Sequence, residues 1–132
     1  MKVLIAIATI AVLPAGTAYA DCSYPTPPDH IPDGNTATLQ EMVEAQKAVK
    51  DYDKAINVYV ACIQLERNDA ITKVAAKPGE KPTSEQKKAM EDLEHVEVQK
   101  HNAAIDQLQS VADRFNEQVK IYKAKAAEKP KG

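Results

Sequence analysis

The stretch TLQEMVEAQKAVKDYDKAINVYVACIQLE, residues 38–66, decides the fold. Its apolar positions Met42, Ala45, Val49, Tyr52, Ile56, Tyr59 and Ile63 recur at alternating spacings of three and four. That repeat places them on one face of an α-helix as a heptad seam. Glu66 takes the next slot and ends it. Thr38 and Glu41 have the spacing of a capping box, and Asp33-Gly34 is a turn signal, so helix 1 is expected to start between Asn35 and Thr38. A second stripe, Ala48, Ala55, Val58 and Cys62, widens the apolar face on one side only.

Further along, Lys77-Pro78-Gly79-Glu80-Lys81-Pro82 is the strong interior breaker. A second helix is expected from Thr83 or Ser84, with Thr83 and Gln86 as its capping box. Its seam reads Val98, His101, Ile105, Leu108, Ala112, Phe115, Val119, Tyr122 and Ala126, and it should fray before Lys129-Pro130. In an antiparallel hairpin the numbers of facing residues have a constant total. Pairing Ile63 with Val98, Ile56 with Ile105, Val49 with Ala112, Ala45 with Phe115 and Met42 with Val119 keeps that total at 160 or 161. The turn then falls near residue 80, inside the breaker, whereas a slip of one heptad moves it into expected helix. Bends near Asn68-Asp69 or Glu97–Asn102 are the alternative, folding the rod into three or four helices.

Upstream, Met1-Lys2 followed by eleven apolar residues, Val3–Leu13, a Pro-Ala-Gly break and Ala18-Tyr19-Ala20 reads as a cleavable export signal. Eleven residues fall short of the roughly 20 that cross a bilayer. Cys22 and Cys62 are the only cysteines, and an exported chain with an even count is expected to form a disulfide. Lengths agree with that pairing. The proline-rich run from Cys22 to Asn35 reaches about 40 Å at roughly 3.1 Å per residue. A helix from Asn35 to Cys62 rises about 40 Å at roughly 1.5 Å per residue. A strap lying along helix 1 and stapled at Cys62 follows, with small alanines beneath it.

Composition narrows the function classes. The chain of 132 residues has 17 basic and 19 acidic residues, no Trp and one Phe. A balance so close to neutral, without a basic-aromatic groove, excludes a nucleic-acid reader. Lys120, Lys123, Lys125, Lys129 and Lys131 make the C-terminus locally basic, which suits a helix C-terminus and is the one route to membrane contact. Three histidines occur, His30, His95 and His101. His101 lies on the seam opposite Tyr59 with Glu97 one turn before it, so Tyr59, Glu97 and His101 form a possible polar seam site. The Asp92/His95 spacing of di-metal bundles occurs once where two copies are needed, and haem-attachment, zinc-protease, nucleophile-elbow and phosphate-loop patterns are absent. No catalytic residue, metal or cofactor is expected.

The run Cys22, Pro25, Pro28, Ile31-Pro32-Asp33-Gly34, Glu41-Met42, Ala45, Val49-Lys50, Tyr52, Tyr59, Cys62 and Glu66 resembles a loose group of small exported proteobacterial helical proteins of unknown function. The likeness covers residues 22–66, with an echo at Phe115–Val119. It implies the envelope of a Gram-negative bacterium and no particular activity. In size and export the chain also resembles envelope-stress helical chaperones, but lacks their Leu-Thr-x-x-Gln motifs.

The expected fold class is all-α: a long antiparallel helical hairpin with an extended proline-rich N-terminal strap disulfide-linked to helix 1. The expected divisions are a signal peptide at 1–20, a strap at 21–34, a hairpin at 35–127 turning near 77–83, and a tail at 128–132. The function expected is that of a non-catalytic periplasmic or secreted protein that binds an unknown protein partner or itself. The alternative is a small ligand- or metal-binding module.

Overall fold

The computed structural model describes residues 22–128. The expected leader, 1–20, and the chain from Lys129 onward lie outside the described residues. Two α-helices pack into a hairpin: α1, Leu39–Val74, and α2, Ser84–Glu128. At 36 and 45 residues they run about 54 and 67 Å at roughly 1.5 Å per residue. Neither is interrupted, so the bends weighed near Asn68 and Glu97–Asn102 do not break either helix.

The ends are set by local chemistry. Thr38 caps α1 with extended backbone, its Oγ1 accepting from the Glu41 N–H at 3.2 Å while Glu41 Oε2 accepts from the Thr38 N–H at 2.6 Å. These bonds satisfy two amides that a helix start would otherwise strand, and they hold the Glu41 carboxyl below its usual range. The same reciprocal pair opens α2 between Thr83 and Gln86, at 2.9 and 3.2 Å. Helix α1 stops at Ala75, whose extended ψ of 153° leaves the helical region. Pro78 lies just beyond, and Gly79 takes φ 87°, a left-handed conformation that a side chain would resist.

The core is two clusters along one seam. Tyr52, Ile56, Tyr59 and Ile63 pack with Ala104 and Val111, and Met42 and Ala45 pack with Phe115. Val49 touches both clusters. Ile56, Ala104 and Val111 are fully buried. The α1 seam is therefore the one its spacing predicts. The α2 seam is rotated. Ala104 and Val111 face α1, while Val98 and Ile105, expected there, are 50% and 37% exposed. One residue is 100° of helix, so the buried face centres on Glu97, His101, Ala104, Leu108, Val111 and Phe115. The cause is a stripe on α2 wider than one helix covers. Both phases are apolar, and the contact with α1 selects between them.

Residues 22–38 form no helix or strand. They touch both helices: Ile31 and Ala37 pack against the Met42–Phe115 cluster, and the Gly34 N–H donates to Gln118 Oε1 at 2.8 Å. The Lys125 ammonium donates to the Asn35 carbonyl. At the other end Cys22 is disulfide-bonded to Cys62, with Cα atoms 5.8 Å apart.

Candidate functional site

Three places gather polar or reactive groups. The first is the cross-link. Cys62 follows Tyr59 by three positions on α1, so both present to the N-terminal segment. The Cys22 N–H donates to Glu66 Oε1 at 3.0 Å, one further turn along. Cys22, Cys62 and Glu66 are the one group of three metal-capable side chains close together among the described residues. Their sulfurs are bonded to one another, so the carboxylate serves here as an anchor for the segment's first amide. Sequence reasoning pairs the two cysteines but misses Glu66, which it treats as the end of the seam. A carboxylate four residues after a bonded cysteine is the available signal.

The second is a tyrosine cluster. The rings of Tyr24 and Tyr59 meet edge to face, with centroids 5.0 Å apart and planes at 70°. Tyr52, one heptad before Tyr59, is 3% exposed and its hydroxyl has no hydrogen-bond partner. Burial pushes the Tyr52 phenol up to about 12, and the neighbouring Tyr24 hydroxyl adds to the shift by proximity rather than by a well-formed bond. Burial also raises Tyr59, helped by Tyr24 and the Glu66 carboxylate. Phenols raised in this way are poor acids and poor nucleophiles near neutral pH. The cluster packs; it does not activate an oxygen.

The third is the open groove towards the turn, about 150 Å³, lined by Ile63, Glu66, Arg67, Ala70, Leu93, Val96, Glu97 and Lys100. Arg67 Nε is buried there without a partner. Glu97 belongs to this groove, whereas Tyr59 faces Tyr24 and His101 Nδ1 lies 3.3 Å from Asn102 Oδ1. Among the described residues no hydrogen bond joins Tyr59, Glu97 and His101, although Tyr59 is buried and the other two are half-buried. His30 and His95 are exposed. Near the C-terminus Lys120 pairs with Glu117 at 3.6 Å across one turn. Among the described residues no helix is long and apolar enough to cross a membrane.

No protein-family model, curated protein or solved structure matches this chain.

Proposed function

We propose that this chain is an exported, non-catalytic helical protein of the bacterial envelope that works by binding other protein surfaces. In this reading the hairpin is antiparallel, and the proline-rich strap clamps its open end. The contact of Met42 and Ala45 with Phe115, and the groove that brings Arg67 to Leu93, support the antiparallel direction. The disulfide supports an oxidising compartment.

One observation carries the reading. Both helices leave large apolar side chains partly open to solvent: Val58 and Leu65 on α1, at 70% and 66%, and Val98 and Ile105 on α2, at 50% and 37%. Isolated exposed apolar residues are ordinary, but repeats at helical spacing on long stapled helices make surfaces for other helices. Cross-linking in intact cells, followed by mass spectrometry of an affinity-tagged chain, tests it. Reproducible cross-links from α1 or α2 to one protein species are expected. Cross-links confined to the chain itself, by intramolecular pairs only, overturn the reading. Fractionation and the N-terminal mass test export, with Asp21 expected as the first residue.

A further inference from the structure

Glu66 stands beside the disulfide, a place where a cross-link alone needs no carboxylate. Cys62 and Glu66 are four residues apart on α1, so their side chains share one face of the helix. Cys22 reaches the same spot from the N-terminal segment, and its N–H donates to Glu66 Oε1 at 3.0 Å. Both sulfurs and a carboxylate oxygen therefore lie within 4.8 Å of one another, with all three residues half-buried. Every disulfide begins as two thiols. Before oxidation this spot holds two thiols and a carboxylate, a donor set that the bridged chain hides.

We infer that the dithiol form of this chain binds one zinc ion through Cys22, Cys62 and Glu66, and that closing the bridge releases it. The proposal goes beyond the protein-binding reading and does not rest on it. Charge favours the ion. Two thiolates and a carboxylate put three negative charges in one half-buried place, where each disfavours the others, and a dication cancels two of them. Ligand chemistry selects the metal. Magnesium and calcium take oxygen ligands, whereas zinc accepts sulfur and oxygen together. Tetrahedral Zn–S bonds of roughly 2.3 Å set two sulfurs about 3.8 Å apart, with a bound carboxylate oxygen at a similar distance from each. These separations fall inside the 4.8 Å spread of the three donors. The adjustment falls on Cys22, which sits on irregular backbone, while Cys62 and Glu66 stay fixed on the helix. No other His, Cys, Asp or Glu among the described residues joins the group, so water takes the fourth position.

The two forms interconvert by a balanced exchange. A dithiol reductant gives two electrons and two protons to the Cys22–Cys62 bond, which breaks into two thiols as the reductant closes its own disulfide. Zinc then displaces one proton from each thiol. In reverse, a disulfide oxidant takes two electrons from the thiolates and two protons from water, becomes a dithiol, and leaves the bridge closed. Bridged sulfurs are neutral and donate weakly, so zinc departs. Zinc and oxidation therefore compete for the same two sulfurs.

The test reduces the purified chain with a dithiol, removes the reductant under argon, and titrates with Co²⁺ and then Zn²⁺. One Co²⁺ per chain is expected, with a near-ultraviolet thiolate-to-metal band and the visible bands of a tetrahedral site, and Zn²⁺ should erase both. Zn²⁺ should also slow closure of the bridge by a disulfide oxidant. Glu66→Gln keeps both cysteines and should raise the dissociation constant at least roughly tenfold, since even groups behind the ligands cost that much. Glu44→Gln, elsewhere on α1, should leave it unchanged, with helicity by circular dichroism confirming that both variants fold. The double variant Cys22→Ser/Cys62→Ser should bind no Co²⁺. A reduced chain that binds Co²⁺ no better than the double variant overturns the proposal. So does a Glu66→Gln variant as tight as the parent, or one metal ion shared between two chains. None of these outcomes bears on the cross-linking test of protein binding, so the two readings fail separately.

Discussion

Gly34 is seated on the backbone of α2 at Gln118. Its amide donates to Gln118 Oε1 at 2.8 Å, and a Cβ at this position would overlap the Gln118 carbonyl and lie 2.7 Å from the Tyr122 nitrogen. The glycine is there for the close approach of two backbones. It ties the α1 cap Thr38, four residues away, to the last turns of α2.

Gly34→Ala is expected to push the segment off α2, costing about 2 kcal/mol or more through overpacking and the lost bond. Gln118→Ala removes the bond alone and should cost about 1 kcal/mol. Urea unfolding with the disulfide intact measures both. An alanine at 34 as stable as glycine would refute the close approach.

Removing the cross-link acts mainly on the unfolded chain. The bridge closes a loop spanning a sequence separation of 40, for which the chain-entropy argument gives about 4 kcal/mol. The double variant Cys22→Ser/Cys62→Ser should therefore lose stability on that scale, read from its thermal midpoint. Glu66→Ala should lose far less, since it anchors one amide. A double variant within about 1 kcal/mol of the parent would mean that the two helices hold the segment unaided.

Alkaline pH should destabilise the fold through Tyr52. Its phenol titrates at about 12 when folded and near 10 when exposed, so the unfolded state loses its proton first. The contribution is fully present below pH 10 and is lost as pH rises towards 12, on the order of 2 kcal/mol. Unfolding free energies measured across that window should fall, and Tyr52→Phe should flatten the slope. An unchanged slope in Tyr52→Phe would place the effect elsewhere.

The rotated α2 seam has its own signature. Val111 is fully buried and Val58 is 70% exposed, so Val111→Ala should cost about 2 kcal/mol and Val58→Ala less than about 0.5 kcal/mol. Ile56→Ala, on the facing side, should cost about 3 kcal/mol. Equal costs at 111 and 58 would contradict the packing described.

Sequence alone determined that helix lies on both sides of one breaker, where each helical stretch begins, and which face of α1 is buried; that neither stretch breaks into shorter helices came from the structure. Caps such as Thr38 with Glu41 and Thr83 with Gln86 act within one turn, and Pro78 and Gly79 break the chain locally, so these features are written where they act. The α1 seam is legible because the apolar row from Met42 to Ile63 keeps its three-four spacing throughout and is bordered on one flank by the polar Gln46, Lys50, Asp53, Asn57 and Gln64. The cysteine pairing is legible because the chain offers two thiols and one length that fits. Tertiary structure alone decided the phase of α2, because its apolar stripe is broad enough for two registers and only the position of α1 chooses Ala104 and Val111 over Val98 and Ile105. It also decided the fate of the polar residues. Tyr59 turned to Tyr24, 35 residues away, and Glu97 to the groove between the helices, because contacts between separate segments are set by packing, which spacing along one helix does not encode.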